Sequence, residues 1–338
     1  MSQEQPGTTV DRAEFAKLTE PFRRELLAHC YRLLGSLDDA EDLVQETYLR
    51  AWRSYEGFEG RSSLRTWLYQ IATNTCLTAL RNQARRPLPS GLGAPGDNPH
   101  APLAADPEIT WLQPIPDMLV TGDSSDPADV AVSRESLRLA LIASLQYLRP
   151  RQRAVLILRE VLAFSAADVA RMLGTTTAGV KSALQRARAR IEEVAPAAGQ
   201  VTEPTEPHAR ALLEQYIAAF ENSDPAALTE LLRKDATVEM TPSPTWFAGG
   251  NAIAFAVAGL GSPGDWRMVP TIANGQPAAA AYRRGSDGIY RAYAIVVLTA
   301  TATGISRIVV FGDPGLFARF GLPPAHPAAG VGITGGMG

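Results

Sequence analysis

Cysteine is almost absent. Cys30 and Cys76 are the only two in 338 residues, and both fall inside helical patterns. That fits small core side chains of a reduced protein better than a disulfide framework. Histidine is scarce, at four. No His or Cys pair has metal-ligand spacing, so no metal and no cofactor is expected. No apolar run reaches the ~18 residues of a membrane span, and no N-terminal segment reads as a signal peptide. A soluble, cytoplasmic chain without a membrane partner is expected. Lys and Arg are missing altogether from residues 87–130. The net charge of −3 excludes a uniformly basic nucleic-acid binder, but the charge is polarised along the chain. The length allows two or three domains at ~100–200 residues each.

The most informative stretch is residues 38–81, DDAEDLVQETYLRAWRSYEGFEGRSSLRTWLYQIATNTCLTALR. Ala40, Leu43, Val44, Thr47 and Ala51 make a helical stripe with Trp52 beside it. Asp38, Asp39, Glu41, Asp42, Gln45 and Glu46 make the opposite face. A polar loop follows at 56–60, and Ser62 or Ser63 caps a second helix. The stripe of that helix is Leu64, Trp67, Leu68, Ile71, Thr75 and Leu80, and a basic run closes it at 81–86. Periodicity alone describes two bundle helices with a solvated acidic face. A second reading is a two-sided adaptor. Its acidic side meets a basic protein, and its aromatic, basic side holds an unstacked single strand, where stacking contributes ~1–3 kcal/mol per base.

Before this stretch, residues 1–9 are polar and expected to be unstructured. A helix is predicted from about Arg12 to Leu34, stopped by Gly35. DLVQET, the aromatic-rich helix and RTWLYQIATN resemble region 2 of the sigma-70 family, in its extracytoplasmic-function (ECF) form, over residues 10–86. The resemblance implies that Asp42, Leu43, Val44, Gln45 and Glu46 dock on a coiled coil of the RNA polymerase largest subunit. It also implies that the segment from Phe58 to Asn74 captures the melted −10 element, through Phe58, Arg61, Ser63, Arg65, Trp67 and Asn74.

Residues 87–130 are rich in Pro and Gly, and acidic, and read as an extended linker. Inside them lies an island, Trp111-Leu112-Gln113-Pro114-Ile115-Pro116-Asp117. It reads equally as a docking element or as a local apolar clasp. In sigma factors this linker threads polymerase channels. Groups with a C-terminal extension carry a similar Trp-Leu-Pro motif that contacts the extension, so Trp111, Leu112, Pro114 and Asp117 are the candidate docking residues.

Residues 131–194 form a second, basic domain, with helices predicted at 132–148, 150–162, 165–173 and 176–194. The Leu173-Gly174-Thr175-Thr176 joint makes the last two a helix-turn-helix. Ala167, Val169, Ala170 and Leu173 are expected inside on the first. On the second, Val180, Leu184, Ala187 and Ile191 should face inward. Lys181, Ser182, Gln185, Arg186, Arg188 and Arg190 are left outside for DNA, Lys181 and Gln185 on base edges and the others on phosphates. V-K-S-x-L-x-R-A-R resembles sigma region 4, which implies −35 recognition through Thr176, Lys181, Ser182, Gln185, Arg186 and Arg188, with the polymerase flap as a further partner. Gly179 departs from the family's helix-friendly residue, at ~1 kcal/mol against Ala.

A second linker spans 195–206. A third unit at 207–325 shows a helix at 209–219, a capped helix after Asp224, and strands at 236–240, 266–272, 278–282, 290–299 and 305–311. Helices first and antiparallel strands afterwards argue α+β. The order, and YIAAFENSDPAALTELLRKDATVEM with PSPTWFAGG, resemble the SnoaL-like, NTF2-like cone. The fold expected is therefore multidomain: two all-α sigma domains, an acidic linker, and an α+β cone. An enzymatic pocket would draw on Asp235, Glu239, Trp246, Tyr282 and Tyr293, but no His lies among the strands, and His208 and His326 sit at the domain's ends. A non-catalytic role is expected, with a small ligand or intramolecular docking left open. The function expected is transcription initiation at −10 and −35 promoter elements, with the third domain setting activity in cis. A one-component helix-turn-helix regulator would leave the 38–81 stretch unexplained. An enzyme tethered to DNA would need a convergent acid or His pocket.

Overall fold

A computed structural model describes residues 11–81, 83–120, 134–194 and 206–326. The polar residues 1–9, linker residues 121–133 and nearly all of the second linker lie outside the described residues. The chain divides into two compact units. One joins residues 1–85 with 118–196, and the other joins 86–117 with 197–338. This grouping differs from the five-part division that composition suggests. Composition follows the chain, whereas packing brings distant segments together.

The first unit is all-α. Helix α1 (Arg12–Thr19) is capped by Asp11, whose carboxylate accepts from the Ala13 and Glu14 amides at 2.7 and 2.8 Å. The expected single helix from Arg12 to Leu34 is broken at Pro21 by a 3₁₀ turn, Glu20–Phe22. Proline removes an amide donor and crowds the preceding turn. Helix α2 (Arg23–Leu34) then runs to Gly35, whose φ of +69° provides the left-handed stop. Ser36 caps α3 (Leu37–Ser54), and Ser63 caps α4 (Leu64–Ala79). On α4 the buried residues are Leu68, Tyr69, Ala72, Thr73, Thr75 and Cys76, while Leu64, Trp67 and Ile71 are half-buried. The buried stripe is thus rotated from the expected one, because α4 is covered on a second side.

That cover is the second helical domain. The expected helix at 132–148 is interrupted at Arg138, whose ψ of 137° is extended, and α5 occupies only Leu139–Leu145. Helix α6 (Pro150–Leu156) passes into a π-turn, Ile157–Val161. Helices α7 (Ala166–Met172) and α8 (Thr177–Val194) complete the helix-turn-helix. Buried cations join the two domains. Arg32 Nη2 donates to Ser136 Oγ at 2.7 Å, and Arg153 donates to the Leu33 carbonyl and to Gln146 Oε1. Burial brings the pKa of both arginines down to about 10. His29 is fully buried, with Nε2 2.8 Å from Thr73 Oγ1. Burial first, then the positive Arg32 and Arg65, bring its pKa down to about 3, so it is held neutral.

The second unit is α+β. Helices α9 (Glu206–Glu221) and α10 (Pro225–Leu231) precede β1 (Leu232–Thr241), β2 (Trp246–Ala248) and α11 (Gly250–Ala258). Strands β3 (Trp266–Ala273), β4 (Gln276–Arg284), β5 (Tyr290–Thr301) and β6 (Gly304–Phe311) follow, then α12 (Leu316–Arg319) and β7 (Ala325–His326). The sheet order is β2-β1-β6-β5-β4-β3, with β1 parallel to β6 and β7 paired to β5. All five expected strands form. Asn274-Gly275 makes the β3–β4 turn, both residues at positive φ as a tight hairpin requires. The core lies between the helices and one sheet face, around Tyr216, Phe247, Ala281, Val296 and Ile308. No helix among the described residues is long and apolar enough to cross a membrane.

Candidate polymerase and nucleic-acid interfaces

Helix α3 separates the residues assigned to core binding. Asp42 and Gln45 are exposed, and Leu43 and Glu46 are half-buried, with Glu46 paired to Arg50 at 2.6 Å. Val44 is 2% exposed and belongs to the core, so its side chain is withdrawn from the contact set. Leu49 is 47% exposed, one turn beyond Gln45 on the same face. Sequence reasoning passed over Leu49, because an apolar residue within a helix is ordinarily read as inward-facing.

The −10 candidates divide in the same way. Phe58 and Trp67 are half-buried with ring centroids 4.8 Å apart, and Tyr55 lies 6.2 Å from each. Phe15 packs edge-on to Tyr55 and Trp52 at 5.1 and 5.3 Å. The result is a continuous aromatic wall, to which Tyr55 and Phe15 are additions. Arg61 is exposed and paired with Glu59. Ser63 is occupied by capping, since its Oγ accepts from the Thr66 amide at 3.1 Å. Arg65 is not a free cation. It donates to Glu25 at 2.8 Å and lies over the rings of Tyr69 and Phe164, at 4.9 and 5.3 Å. Tyr69 donates to the same Glu25 oxygen at 2.9 Å. Burial, then the Glu25 charge, raise the Tyr69 pKa far above the phenol range. Asn74 donates to the Met172 carbonyl at 3.3 Å.

In the helix-turn-helix, Gly174 sits at φ +59°, and Thr176 Oγ1 accepts from the Gly179 amide at 3.0 Å. Thr176 is therefore a cap. A Cβ on Gly179 would lie 2.7 Å from Thr175 Oγ1, so a larger residue there requires that hydroxyl to turn away. Val169, Ala170, Leu173, Val180 and Ala187 are buried as expected, whereas Leu184 and Ile191 are half-buried. Ala167 is exposed, contrary to expectation, and Met172 takes the inward place. Lys181, Ser182, Gln185, Arg186, Arg188 and Arg190 all face outward. Ser182 meets Arg186 at 2.5 Å, while Arg188 is taken up by Glu160 at 2.5 Å.

Residues 86–117 are folded onto the α+β unit as a strap. Ile115 donates to Asn274 Oδ1 at 3.0 Å and accepts from the Asn274 amide at 2.9 Å. Pro116 bridges to Ala273, and Asp117 Oδ1 accepts from the Gly275 amide at 2.8 Å. Leu112 and Pro114 are buried. The Trp111 carbonyl accepts from Arg86, and its buried indole N–H has no acceptor among the described residues. Further along the strap, Glu239, 1% exposed, accepts from Arg307 Nε at 2.6 Å and from the Ser90 amide at 2.9 Å. Trp246 Nε1 donates to the Gly93 carbonyl at 2.9 Å. These partners of Ser90 and Gly93 carried no signal in the sequence, because they lie some 150 residues away.

Residues 18–86 match the family model for sigma-70 region 2, and residues 138–191 match that for sigma-70 region 4. The chain is 52% identical over 316 residues to the ECF RNA polymerase sigma factor SigG of Mycobacterium tuberculosis, across 92% of this chain and 85% of that one. It belongs to the ECF RNA polymerase sigma factors. The sigma factor is also 31% identical over 220 residues to SigJ of the same organism, across 64% of this chain and 62% of that one. Its fold is shared with the crystal structure of M. tuberculosis SigJ, at a TM-score of 0.58 and 23% identity, across 91% of this chain and 99% of that one. The architecture is the expected one in outline: two helical sigma domains and an α+β domain, a fold shared with the SigJ structure.

The residues considered for catalysis in the sigma factor do not converge. Asp235 is exposed and bidentate to Arg233 at 2.8 Å, which lowers its pKa. Glu239 is closed by Arg307 and Ser90. Tyr282 donates to the Pro323 carbonyl at 2.9 Å and stacks edge-on to His326. Trp246 holds the strap, and only Tyr293 of this set lines the interior cavity.

Proposed function

We propose that this sigma factor binds polymerase core through Asp42, Gln45, Glu46 and Leu49 on α3, with Leu43 at the edge. It holds the melted −10 strand on the Phe58–Trp67 wall beside Arg61, and reads −35 duplex through Lys181, Ser182, Gln185 and Arg186. Thr176 presets the reading helix. Arg65, Ser63, Asn74 and Arg188 support these surfaces through their contacts to other residues of the chain. RNA polymerase places this activity in the cytoplasm. The α+β unit is non-catalytic and acts in cis through the strap.

The observation that carries the regulatory reading is the clasp of Ile115 on Asn274. The two promoter elements lie roughly 25 base pairs apart, or about 85 Å at 3.4 Å per pair. In the described unit, Asn74 of the −10 helix touches Met172 of the helix-turn-helix. Both elements can be held together only after region 4 leaves α4 and the connection stretches. A strap folded on a domain spans much less than the same residues extended at ~3.3–3.6 Å each. Docking therefore restrains initiation, and release permits it. The buried, unpartnered Trp111 N–H favours release, since an unmade hydrogen bond costs ~1–3 kcal/mol.

The test is run-off transcription with purified core and the full-length chain. Asn274→Gly keeps the left-handed turn and deletes the Oδ1 acceptor. Its output on −10/−35 promoters should exceed wild type. Equal or lower output at equal core binding overturns the restraint.

A further inference from the structure

The chain contains one Asn-Gly pair, Asn274-Gly275, and it forms the tip of the β3–β4 hairpin. This dipeptide has a reaction of its own. The nitrogen of the following amide attacks the carboxamide carbon of the asparagine, and glycine, having no Cβ, crowds that approach least. The new C–N bond closes a cyclic imide. The Cγ–Nδ2 bond breaks, and Nδ2 leaves as ammonia with the proton of the attacking amide. Water then opens the ring at one of its two carbonyls. Opening at the side-chain carbonyl gives aspartate. Opening at the main-chain carbonyl gives isoaspartate, in which the backbone runs through the former side chain.

The docked strap obstructs each stage. Asn274 is 0% exposed, so neither hydroxide nor water reaches the carboxamide. Its Oδ1 accepts from the Ile115 amide at 3.0 Å, which restrains the rotation that brings Cγ onto the Gly275 nitrogen. That nitrogen is itself engaged, since the Gly275 amide donates to Asp117 Oδ1 at 2.8 Å. Attack requires the amide to give up its proton, and a carboxylate beside it disfavours a second negative charge. Ile115 and Asp117 both belong to the strap. Its departure therefore lifts the burial, the rotational restraint and the charge together.

We propose that Asn274-Gly275 is a self-modification site kept silent by the docked strap: with the strap off, the pair cyclises and deamidates, and the product opposes redocking. An aspartate at 274 puts a second carboxylate at the turn where Asp117, 8% exposed, must seat. Like charges with little water between them repel strongly. An isoaspartate lengthens the backbone and displaces a turn held at φ +56° and +66°. A reversible release thereby becomes permanent, and the extent of deamidation records the time spent undocked. The inference rests on the strap reading above. Its readouts are covalent change and amide exchange without polymerase, so the modification and the restraint of transcription can fail separately.

The full chain is aged in mildly alkaline buffer, digested with pepsin in acid, and read by peptide mass for conversion at residue 274. Wild type in buffer, wild type in urea, Asp117→Asn and Asp117→Ala are compared. Conversion should be fast in urea and slow in folded wild type. Asp117→Ala should raise the folded rate about 10-fold or more, the weight of one hydrogen bond to a charged group. Asp117→Asn, which keeps an acceptor without the charge, should fall between. Slow amide exchange at Val297, in the middle of β5 and 1% exposed, confines the comparison to folded chains. Asn274→Asp, the product itself, should speed exchange of the Ile115 amide about 10-fold while Val297 stays slow. Equal conversion of wild type in buffer and in urea overturns protection by docking. A rate in Asp117→Ala equal to that of wild type overturns the part given to Asp117. Unaltered Ile115 exchange in Asn274→Asp overturns the permanence of release.

Discussion

Asn274 and Ile115 exchange a pair of hydrogen bonds, at 2.9 and 3.0 Å, between a hairpin tip and a linker 159 positions earlier in the chain. Asn274 holds φ +56° and is fully buried. An asparagine tolerates that backbone and offers a side-chain acceptor at the same time. The β3–β4 turn thereby serves as a socket for the linker as well as a hairpin closure.

The second anchor of the strap is the ion pair of Glu239 with Arg307. Glu239→Leu leaves a partly buried guanidinium without its carboxylate, and unfolding stability should fall by about 2–3 kcal/mol. Arg307 is 20% exposed and reaches some water, which keeps the loss below that of a fully enclosed pair. Adding Arg307→Leu should recover part of the loss, because two apolar side chains replace two buried charges. A double-mutant cycle in urea measures this, and strictly additive losses would show that the pair is not coupled.

His29 gives the first unit a pH dependence of definite sign. Its pKa is about 3 in the folded chain against 6.5 ordinarily. The unfolded chain therefore binds one more proton between those values, and stability falls as pH drops through them. The slope from this residue is about 1.4 kcal/mol per pH unit. His29→Gln keeps a hydrogen-bonding group opposite Thr73 and should flatten the pH 6.5-to-5 decline by that amount. Parallel curves for variant and wild type would contradict it.

On the reading helix, Arg186 and Arg188 should behave differently. Arg186 is exposed and touches only Ser182 among its described partners, so it is available to a phosphate. Arg186→Ala should weaken −35 duplex binding across sequences and reduce the slope of log affinity against log salt by about 1. Arg188 is held by Glu160, and Arg188→Ala should leave the salt slope nearly unaltered. Equal slopes for the two variants would refute the assignment.

Neighbouring residues on α3 should also separate. Gln45→Lys and Leu49→Asp should weaken core-polymerase association about 10-fold or more without changing unfolding, as rim or centre contacts do. Val44→Ala should cost about 1–3 kcal/mol of stability, with association unaltered once the chain is folded. Pull-down with purified core, beside thermal unfolding, distinguishes these outcomes.

The amino-acid sequence was sufficient for the caps, the tight turns and most helix positions, while the breaks at Pro21 and Arg138 escaped it. Helical periodicity, Ser and Thr caps, the Gly174 joint and the Asn274-Gly275 turn are decided by neighbours within a few residues, and these elements are where the pattern put them. The polarised charge and the motif strings were enough to point to the family. What only the tertiary structure decided is which exposed-looking residues are already spent. Arg65 is committed to Glu25, Asn74 to Met172, Glu239 to Arg307 and Ser90, and Ile115 to Asn274. A polar side chain's availability depends on its spatial neighbours, and those neighbours lie 40 to 160 residues away along the chain. The acidic linker shows this most clearly. Its composition describes a tether, and only packing against a partner domain makes it a strap, because the partner supplies the apolar surface and the hydrogen bonds the linker lacks on its own.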